Sequence, residues 1–251
     1  MNKKDIKKLA DKKHRIEAGL FLVEGEKNIT ELLGSDFVVR AIFGTPEFLE
    51  TLTPPLPSGS ESELVSTPED ELVKIGTLQT NNAGIAVAEQ KKNSLDLEEL
   101  AQSAQNSFVL ALDDVRDPGN LGTIIRLADW YGIAHIIASE TTTDFYNPKT
   151  IAASMGSFTR VSVHYCDLAS TLSALKKEKL SVMGAYLNGR SIHEGGLPQN
   201  GILLMGSESH GISEVLAPFI TTKVTIPKWG KAESLNVSLA TAILLDALRR
   251  G

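Results

Sequence analysis

The sequence contains a single cysteine and no hydrophobic run long enough to cross a membrane. Cys166 has no second cysteine with which to form an internal disulfide, and cysteine and histidine do not cluster at the spacing of a zinc site. The N-terminal stretch MNKKDIKKLADKKHR has no apolar core after its lysines, and the chain lacks the ~20 consecutive apolar residues that a membrane span needs. These absences predict a cytoplasmic protein without a metal site.

Charge is unevenly distributed along the chain. The 251 residues carry a net charge of −6, yet the first fifteen hold seven Lys and Arg against two acidic residues. Clusters of this kind contact phosphates, so the basic segment predicts an RNA-contacting arm. The alternative is a solvated helix face, and the sequence does not separate the two. With 42% hydrophobic residues, the chain can bury one large core or two small ones.

Hydrophobic patterning divides the chain into two α/β parts. Residues 1–90 begin with a predicted helix over residues 3–16, whose Ile6, Leu9 and Ile16 are expected to face inward. The Pro/Ser/Gly-rich residues 54–63 predict a loop, and the polar residues 91–106 predict a partly helical linker. From residue 107 to residue 251, strands alternate with helices, which predicts an α/β domain with a mostly parallel sheet.

Two loops rich in glycine and serine follow apolar runs near the C-terminus. The run ILLMG is followed by GSESHGIS, after which Ser213 is expected to cap a helix, EVLAPFI. The run KVTIP is followed by KWGKAESLN and then by a helix, SLATAILLDALRR. In open α/β sheets, ligands bind beyond the carboxyl ends of the strands, so both loops are predicted to line a ligand site.

Familiar phosphate-binding and hydrolase motifs do not match the first of these loops. The dinucleotide fingerprint GxGxxG fails because the loop's glycines are only Gly206 and Gly211. Ile212 occupies the lysine position of a P-loop, and a GxSxG nucleophile elbow would lack its first glycine. The last histidine, His210, directly follows Ser209, so the order nucleophile, acid, histidine of an α/β-hydrolase triad is excluded.

A third polar loop, DDVRDPGNLG, follows the first strand of the second part. Asn120 is predicted to be the N-cap of the next helix, and Arg126 lies one to two turns inside that helix. An asparagine at the N-terminus of a helix, followed by an arginine one to two turns later, favours a site that binds a phosphate or stabilises an oxyanion. The alternative is structural: Asn120 only caps the helix, and Arg126 pairs with Asp129.

Together, the three loops resemble the motif set of one family, the SpoU (TrmH-like) branch of the SPOUT methyltransferases. The matching segments are DPGNLGTIIRLADWYG, LLMGSESHGIS and IPKWGKAESLNVSLATAILL. The segment HRIEAGLFLVEGEKNITELL is similar to the N-terminal substrate-binding domain of family members that act on ribosomal RNA. The region after MGS lacks a proline that members often carry there, a departure that concerns loop shape rather than the motifs.

This resemblance implies an architecture and an activity. Residues 1–90 would form a small α/β domain that binds RNA, and residues 107–251 a methyltransferase domain with a trefoil knot in its C-terminal segment. The protein would form a homodimer with the site at the interface. It would transfer a methyl group from S-adenosylmethionine to a ribose 2′-hydroxyl of structured RNA.

The resemblance also implies roles for particular residues. Main-chain atoms of Gly206, Ile226 and Leu235 would hold the cofactor, and Arg126 would be the catalytic arginine. An arginine side chain stays protonated, so its expected role is to orient the hydroxyl and the neighbouring phosphate. The other polar motif residues would position Arg126, the ribose or the cofactor: Asn120, Glu208, Ser234 and Asn236. For Glu208, capping of the following helix is the alternative.

The N-terminal resemblance favours ribosomal RNA as the substrate, with transfer RNA as the alternative. A non-catalytic RNA-binding or assembly protein of the same fold is a second alternative, and a nucleotide-binding enzyme is a third. The intact polar motif residues argue against the second, and the missing P-loop lysine argues against the third. We interpret Cys166, His164 and the turn at His193 as structural or surface features.

Overall fold

A computed structural model describes residues 2–52, 62–92 and 94–250 of the chain. The predicted loop at residues 54–63 falls almost wholly outside these residues. Contacts divide the described residues into two compact units. The first consists of the residues up to Lys92 together with Asp144–Arg160, and the second of the residues from 94 to Thr143 together with those from Val161 onward.

The first unit is built on a four-stranded sheet. Its strands are β1 (Leu20–Glu24), β2 (Val39–Gly44), β3 (Glu63–Ser66) and β4 (Gly84–Glu89), in the order β1-β4-β2-β3. The pair β2 and β3 is parallel, whereas β4 runs antiparallel to β1 and to β2. The helices before residue 92 are α1 (Lys3–Lys8), α2 (Lys12–Ala18), α3 (Glu26–Leu33), α4 (Pro46–Thr51) and α5 (Glu69–Ile75).

The prediction of one continuous helix over residues 3–16 is wrong, because the structure has two helices there. The chain breaks after α1, and Asp11 caps α2 by accepting a hydrogen bond from the Lys13 backbone N–H at 2.8 Å. Ile6 and Leu9 are buried as expected, but Ile16 is 64% exposed. The break changes which residues face the core.

Arg15 takes the inward position that had been predicted for Ile16. Its side chain is 1% exposed and donates to the carbonyl oxygens of Leu9 and Ala10, each at 2.8 Å. It also forms an ion pair with Asp144 at 2.6 Å. The guanidinium thus satisfies carbonyl groups at the end of α1 that have no partner within the helix.

The segment Asp144–Arg160 packs within the first unit although it lies far from the rest of that unit in sequence. It contains α8 (Pro148–Ser154) and a 3₁₀ helix, Ser157–Thr159. Phe21 of β1 packs against Tyr146 and Phe158, with ring centroids 4.6 and 6.2 Å apart. The aromatic contacts and the Arg15–Asp144 ion pair hold this segment on β1.

The second unit is a six-stranded sheet in which every strand pair is parallel. Its strands are β5 (Phe108–Leu112), β6 (His135–Ala138), β7 (Ser162–Tyr165), β8 (Val182–Ser191), β9 (Gly201–Met205) and β10 (Thr222–Thr225), in the order β10-β8-β9-β5-β6-β7. Its α-helices are α6 (Leu97–Asn106), α7 (Pro118–Trp130), α9 (Leu168–Leu175) and α10 (Val237–Arg250). The predicted α/β fold with a mostly parallel sheet is confirmed, and the trefoil knot stays a prediction.

The centre of this sheet lies where the sequence is most continuously apolar. Every residue of β5 and β9 is buried, because these neighbouring strands are covered on both faces.

The helix predicted at EVLAPFI is instead a 3₁₀ helix, Glu214–Phe219, since Pro218 cannot donate the hydrogen bond that an α-helix would need there. Among the described residues, no helix is both long and apolar enough to span a bilayer.

Candidate active site

A cavity of about 740 Å³ lies at the carboxyl ends of strands β9 and β10 and beside the middle of β8. Its walls come from residues 185–188, from the loop 205–212, from the segment 224–235 and from one face of α10 at Val237, Ala240 and Leu244. This volume is in the range of small-molecule sites, which span ~300–1,000 Å³. Both glycine-rich loops identified in the sequence therefore line one cavity.

The loop after β9 is a tight turn closed by its own backbone. Ser207 and Gly211 exchange backbone hydrogen bonds at 3.0 Å in both directions. A Cβ atom at Gly206 would lie 2.1 Å from the carbonyl carbon of Gly211, so only glycine fits. The left-handed φ of +69° at Gly211 also favours glycine. The turn thus presents main chain, rather than side chains, to the cavity.

A buried carboxylate fixes the exit of this turn. Asp113 directly follows β5, is 8% exposed, and accepts a hydrogen bond from the backbone N–H of Ser213 at 2.7 Å. Its neighbour Asp114 has a positive φ of 60°, which is strained for a residue with a side chain. A hydrogen bond from Arg116 holds the pKa of Asp114 below its ordinary value. Sequence reasoning missed Asp113, although its position after an apolar strand was a signal.

Helix α7 begins earlier than the sequence predicted, and the prediction of Asn120 as its N-cap is wrong. Asp117 is the cap and accepts from the backbone N–H of Asn120 at 2.9 Å, with Pro118 as the first helical residue. Proline suits that position because its φ is preset and no N–H is needed there. The side chain of Asn120 is consequently available for other partners.

Three of the predicted polar residues form one hydrogen-bonded network. Asn120 donates through Nδ2 to Oε1 of Glu208, and its Oδ1 accepts from Nδ2 of Asn236 at 2.9 Å. Oδ1 of Asn236 in turn accepts from the backbone N–H of Ser238 at 2.9 Å, at the start of α10. The Ser238 hydroxyl donates to the same oxygen at 2.6 Å, a contact that sequence reasoning missed. The network joins the ends of three chain segments and reaches the cavity through Glu208, which lines it.

The remaining predicted site residues fall into two groups. Gly206, Ile226, Ser234 and Leu235 all line the cavity. Arg126 does not: it lies exposed on α7, and it forms no hydrogen bond or ion pair with any residue that the structure describes. Across residues 2–52, 62–92 and 94–250, no group of three His, Cys, Asp or Glu side chains is placed to hold a metal ion.

The chain is similar in sequence and in fold to known proteins. Residues 107–246 match the SpoU rRNA Methylase family, and residues 2–86 match the MRM3-like substrate binding domain. The chain is 34% identical, over 98% of its length and 95% of the relative's, to the 23S rRNA (guanosine(2553)-2′-O)-methyltransferase RlmP of Bacillus subtilis.

Two solved structures resemble the whole chain. One is a putative RNA methyltransferase of the TrmH family from Porphyromonas gingivalis, with 35% identity, a TM-score of 0.84, and coverage of 99% of this chain and 96% of that one. The other is an AdoMet-bound rRNA methyltransferase from Sinorhizobium meliloti, with 30% identity, a TM-score of 0.84, and coverage of 99% of this chain and 94% of that one.

Proposed function

Because the chain belongs to the SpoU rRNA Methylase family, we propose that it transfers a methyl group from S-adenosylmethionine to a ribose 2′-hydroxyl of ribosomal RNA. The observation that carries this proposal is the network of Asn120, Glu208 and Asn236 at a cavity walled by two glycine-rich loops. The family that the sequence motifs resemble is therefore the family to which the chain belongs. With ribosomal RNA as substrate, we place the reaction in the cytoplasm.

The cavity suits S-adenosylmethionine in size and in chemistry. The glycine turn brings the main chain of residues 206–211 to the cavity wall, where a side chain at Gly206 would collide with the facing backbone. Apolar side chains of Ile226, Leu235 and Leu244 offer contacts for an adenine ring. The relative from Sinorhizobium meliloti binds AdoMet. When bound, this cofactor supplies an electrophilic methyl group on a sulfonium.

The chain's own residues would position the ribose. Asn120 is held from both ends of its amide, so its orientation is set before any substrate arrives. The second carboxylate oxygen of Glu208 is then free to accept a hydrogen bond from a ribose hydroxyl at the cavity mouth. Preorganised placement of this kind can contribute much of the rate acceleration in a reaction between two bound groups. Ser234 also lines the cavity and would contact either the ribose or the cofactor.

We propose further that two copies of the chain associate through α7 and α10, which pack against each other. Their outer faces expose large apolar side chains: Trp130 is 81% exposed, Leu239 58% and Ile243 39%. Arg126 lies one turn before Trp130, so both side chains occupy the same face of α7. Burial of that face in a homodimer would bring Arg126 to the site of the second copy, where it would stabilise the negative charge that develops on the ribose oxygen.

The first unit is proposed to bind the RNA. Its match to a substrate binding domain supports this, as do exposed lysines on α1 and α2. Lys4, Lys7 and Lys12 form no ion pair within the described chain. Replacing these three with glutamine should weaken RNA binding and make the slope of log K against log salt shallower by up to ~3. An unchanged slope would identify the segment as a solvated helix face.

Charge replacement is a better test than truncation, because deleting residues 1–90 would also strip the segment Asp144–Arg160 of its packing partners. The charge-matched control replaces Lys27, Lys74 and Lys91 of the same unit with glutamine, because these lysines are also exposed but each is already paired with an acidic side chain.

Methyl transfer itself can be measured directly. Purified protein and labelled S-adenosylmethionine are incubated with 23S rRNA or with tRNA from cells that lack the protein. Label should enter the 23S rRNA, and the modified position should resist alkaline hydrolysis because a 2′-O-methyl group blocks cleavage of the adjacent phosphodiester. Label in tRNA alone, or on a base instead of a ribose, would contradict the proposed substrate or the proposed reaction.

A further inference from the structure

Trp229 is the most exposed large hydrophobic side chain of the described residues, at 86%. It lies between β10 and α10 on the rim of the cavity, with Lys228 before it and Lys231 two residues after it. Tryptophan is enriched at interfaces, where burial of its large apolar ring is favourable and its indole N–H can still find a partner. None of the proposed catalytic or cofactor contacts involves this ring.

A second ring faces Trp229 across the rim. The centroids of His193 and Trp229 are 6.3 Å apart, and their planes are inclined by 37°. His193 lies on a turn after β8 that is fixed by its own hydrogen bonds. Its backbone N–H donates to the Ser191 hydroxyl at 3.1 Å, and the guanidinium of Arg190 donates to carbonyl oxygens later in the turn. The turn is also tied to the end of β10, where the Ile192 N–H donates to the carbonyl of Thr225 at 3.1 Å.

The spacing of these rings is close to that of a stacking clamp. Aromatic planes stack at ~3.4 Å, the rise between bases in a strand, so a base held between two rings needs them ~7 Å apart. The observed centroids are 6.3 Å apart and the planes are inclined by 37°, so a base can enter only if the Trp229 ring moves outward and turns until the two planes are parallel. We propose that Trp229 and His193 clamp an unpaired base of the RNA substrate beside the ribose that is methylated. This inference rests on the proposed function and names how its substrate is held.

The charges around the rings fit RNA better than a protein partner. Lys228 and Lys231 are both exposed, and Glu233 is the one acidic residue in the sequence between β10 and α10. Glu194 follows His193 and lies 3.9 Å from the Arg190 guanidinium, which offsets its charge. Lysines next to an aromatic ring suit a nucleotide, in which phosphates flank each base. Lysine is depleted in the cores of protein interfaces, and the apolar patch suited to a second copy lies elsewhere, on α7 and α10.

Binding of short single-stranded RNA tests the clamp. Trp229→Ala should weaken binding of a twelve-nucleotide oligoadenylate by roughly 5- to 150-fold, the range for loss of one stacking ring. Trp229→Phe should retain most of the affinity, whereas Trp229→Leu should not, since it keeps apolar bulk without a ring. His193→Ala should also weaken binding. Preference for oligoadenylate over oligouridylate should shrink in the Ala variants, because purines stack more strongly.

Fluorescence reports the contact independently of methyl transfer. In a Trp130→Phe background Trp229 is the only tryptophan, and oligoadenylate should quench its emission. Val215→Ala is the matched control, since Val215 is 63% exposed and lies outside the cavity wall. Absence of methyl transfer by the wild type, together with this quenching in the Trp130→Phe variant, would refute the proposed function and leave the stacking of a base on Trp229 standing.

Three results would overturn the clamp. Equal oligoadenylate affinity of Trp229→Ala and the wild type would show that the ring does not contact a base. A weakened affinity for S-adenosylhomocysteine with unchanged RNA affinity would make Trp229 a wall of the cofactor site. Conversion of the protein to a smaller species by Trp229→Ala would assign the ring to an interface between copies.

Discussion

Arg126 is expected to act in the site of a second copy of the chain, and mixing of two inactive variants tests this. It lies six residues after Asn120 on α7, which places the two residues ~9 Å apart along the helix axis and ~120° apart around it. Asn120 reaches the cavity network, whereas Arg126 points to the exposed face that carries Trp130. A single chain therefore does not bring Arg126 to its own network.

The expected magnitudes follow from two-fold symmetry. Arg126→Ala and Asn236→Ala should each lower single-turnover methyl transfer by ~10²-fold, the typical effect of removing a group that stabilises developing charge or orients the reacting oxygen. Random exchange of subunits makes half of the dimers mixed, and each mixed dimer has one intact site of two, so activity should return to about one quarter of wild type. That recovery is ~25-fold above either variant alone.

A reciprocal mixture supplies the control. Wild type exchanged with an equal amount of the doubly substituted chain, Arg126→Ala with Asn236→Ala, should retain about one quarter of the activity if the arginine acts across the dimer, and about one half if it acts within its own chain. Affinity for S-adenosylhomocysteine, measured by calorimetry, should be nearly unchanged in Arg126→Ala. No recovery in the first mixture would refute the action of Arg126 across the dimer. Near-normal turnover of Arg126→Ala with a lowered melting temperature would instead assign the side chain a structural role.

Three further predictions concern the fold and the loop. Arg15→Ala removes the buried partner of Asp144 and should lower the free energy of unfolding, measured by urea titration, by ~3 kcal/mol. An interaction free energy between Arg15 and Asp144 below ~0.5 kcal/mol, measured in a double-mutant cycle with Asp144→Ala, would contradict this. Gly206→Ala forces a Cβ atom against backbone 2.1 Å away and should abolish cofactor binding, whereas Gly195→Ala, which meets nothing within 4 Å, should not. Burial and a neighbouring histidine lower the pKa of His164 from 6.5, so the unfolded chain binds its proton more readily. The contribution of His164 to the free energy of unfolding should be fully present above pH 6.5 and should be lost as the pH drops toward the lower pKa of the folded state. His164→Gln should therefore make the free energy of unfolding depend less on pH in this range. An identical pH profile in the variant would contradict a lowered pKa of His164.

Local sequence determined the central sheet and the position of the loops. The runs FVLAL and ILLM are uninterrupted by polar residues, and such runs form strands that are buried on both faces. Glycines and polar residues directly after those runs predicted loops at the carboxyl ends of strands, where the cavity lies. The same residues carried the family resemblance, and the match of residues 107–246 to the SpoU rRNA Methylase family confirms it. These features were predictable because each depends on neighbouring residues.

Only the tertiary structure decided which polar residues meet. Asn120 is bonded to Glu208, 88 positions away, and to Asn236, 116 positions away, and no local pattern encodes such pairings. The inward turn of Arg15 toward Asp144 and the facing rings of His193 and Trp229 are long-range contacts of the same kind. The sequence determines such contacts only through the whole fold, because a side chain's partner depends on where the strands and helices place the rest of the chain.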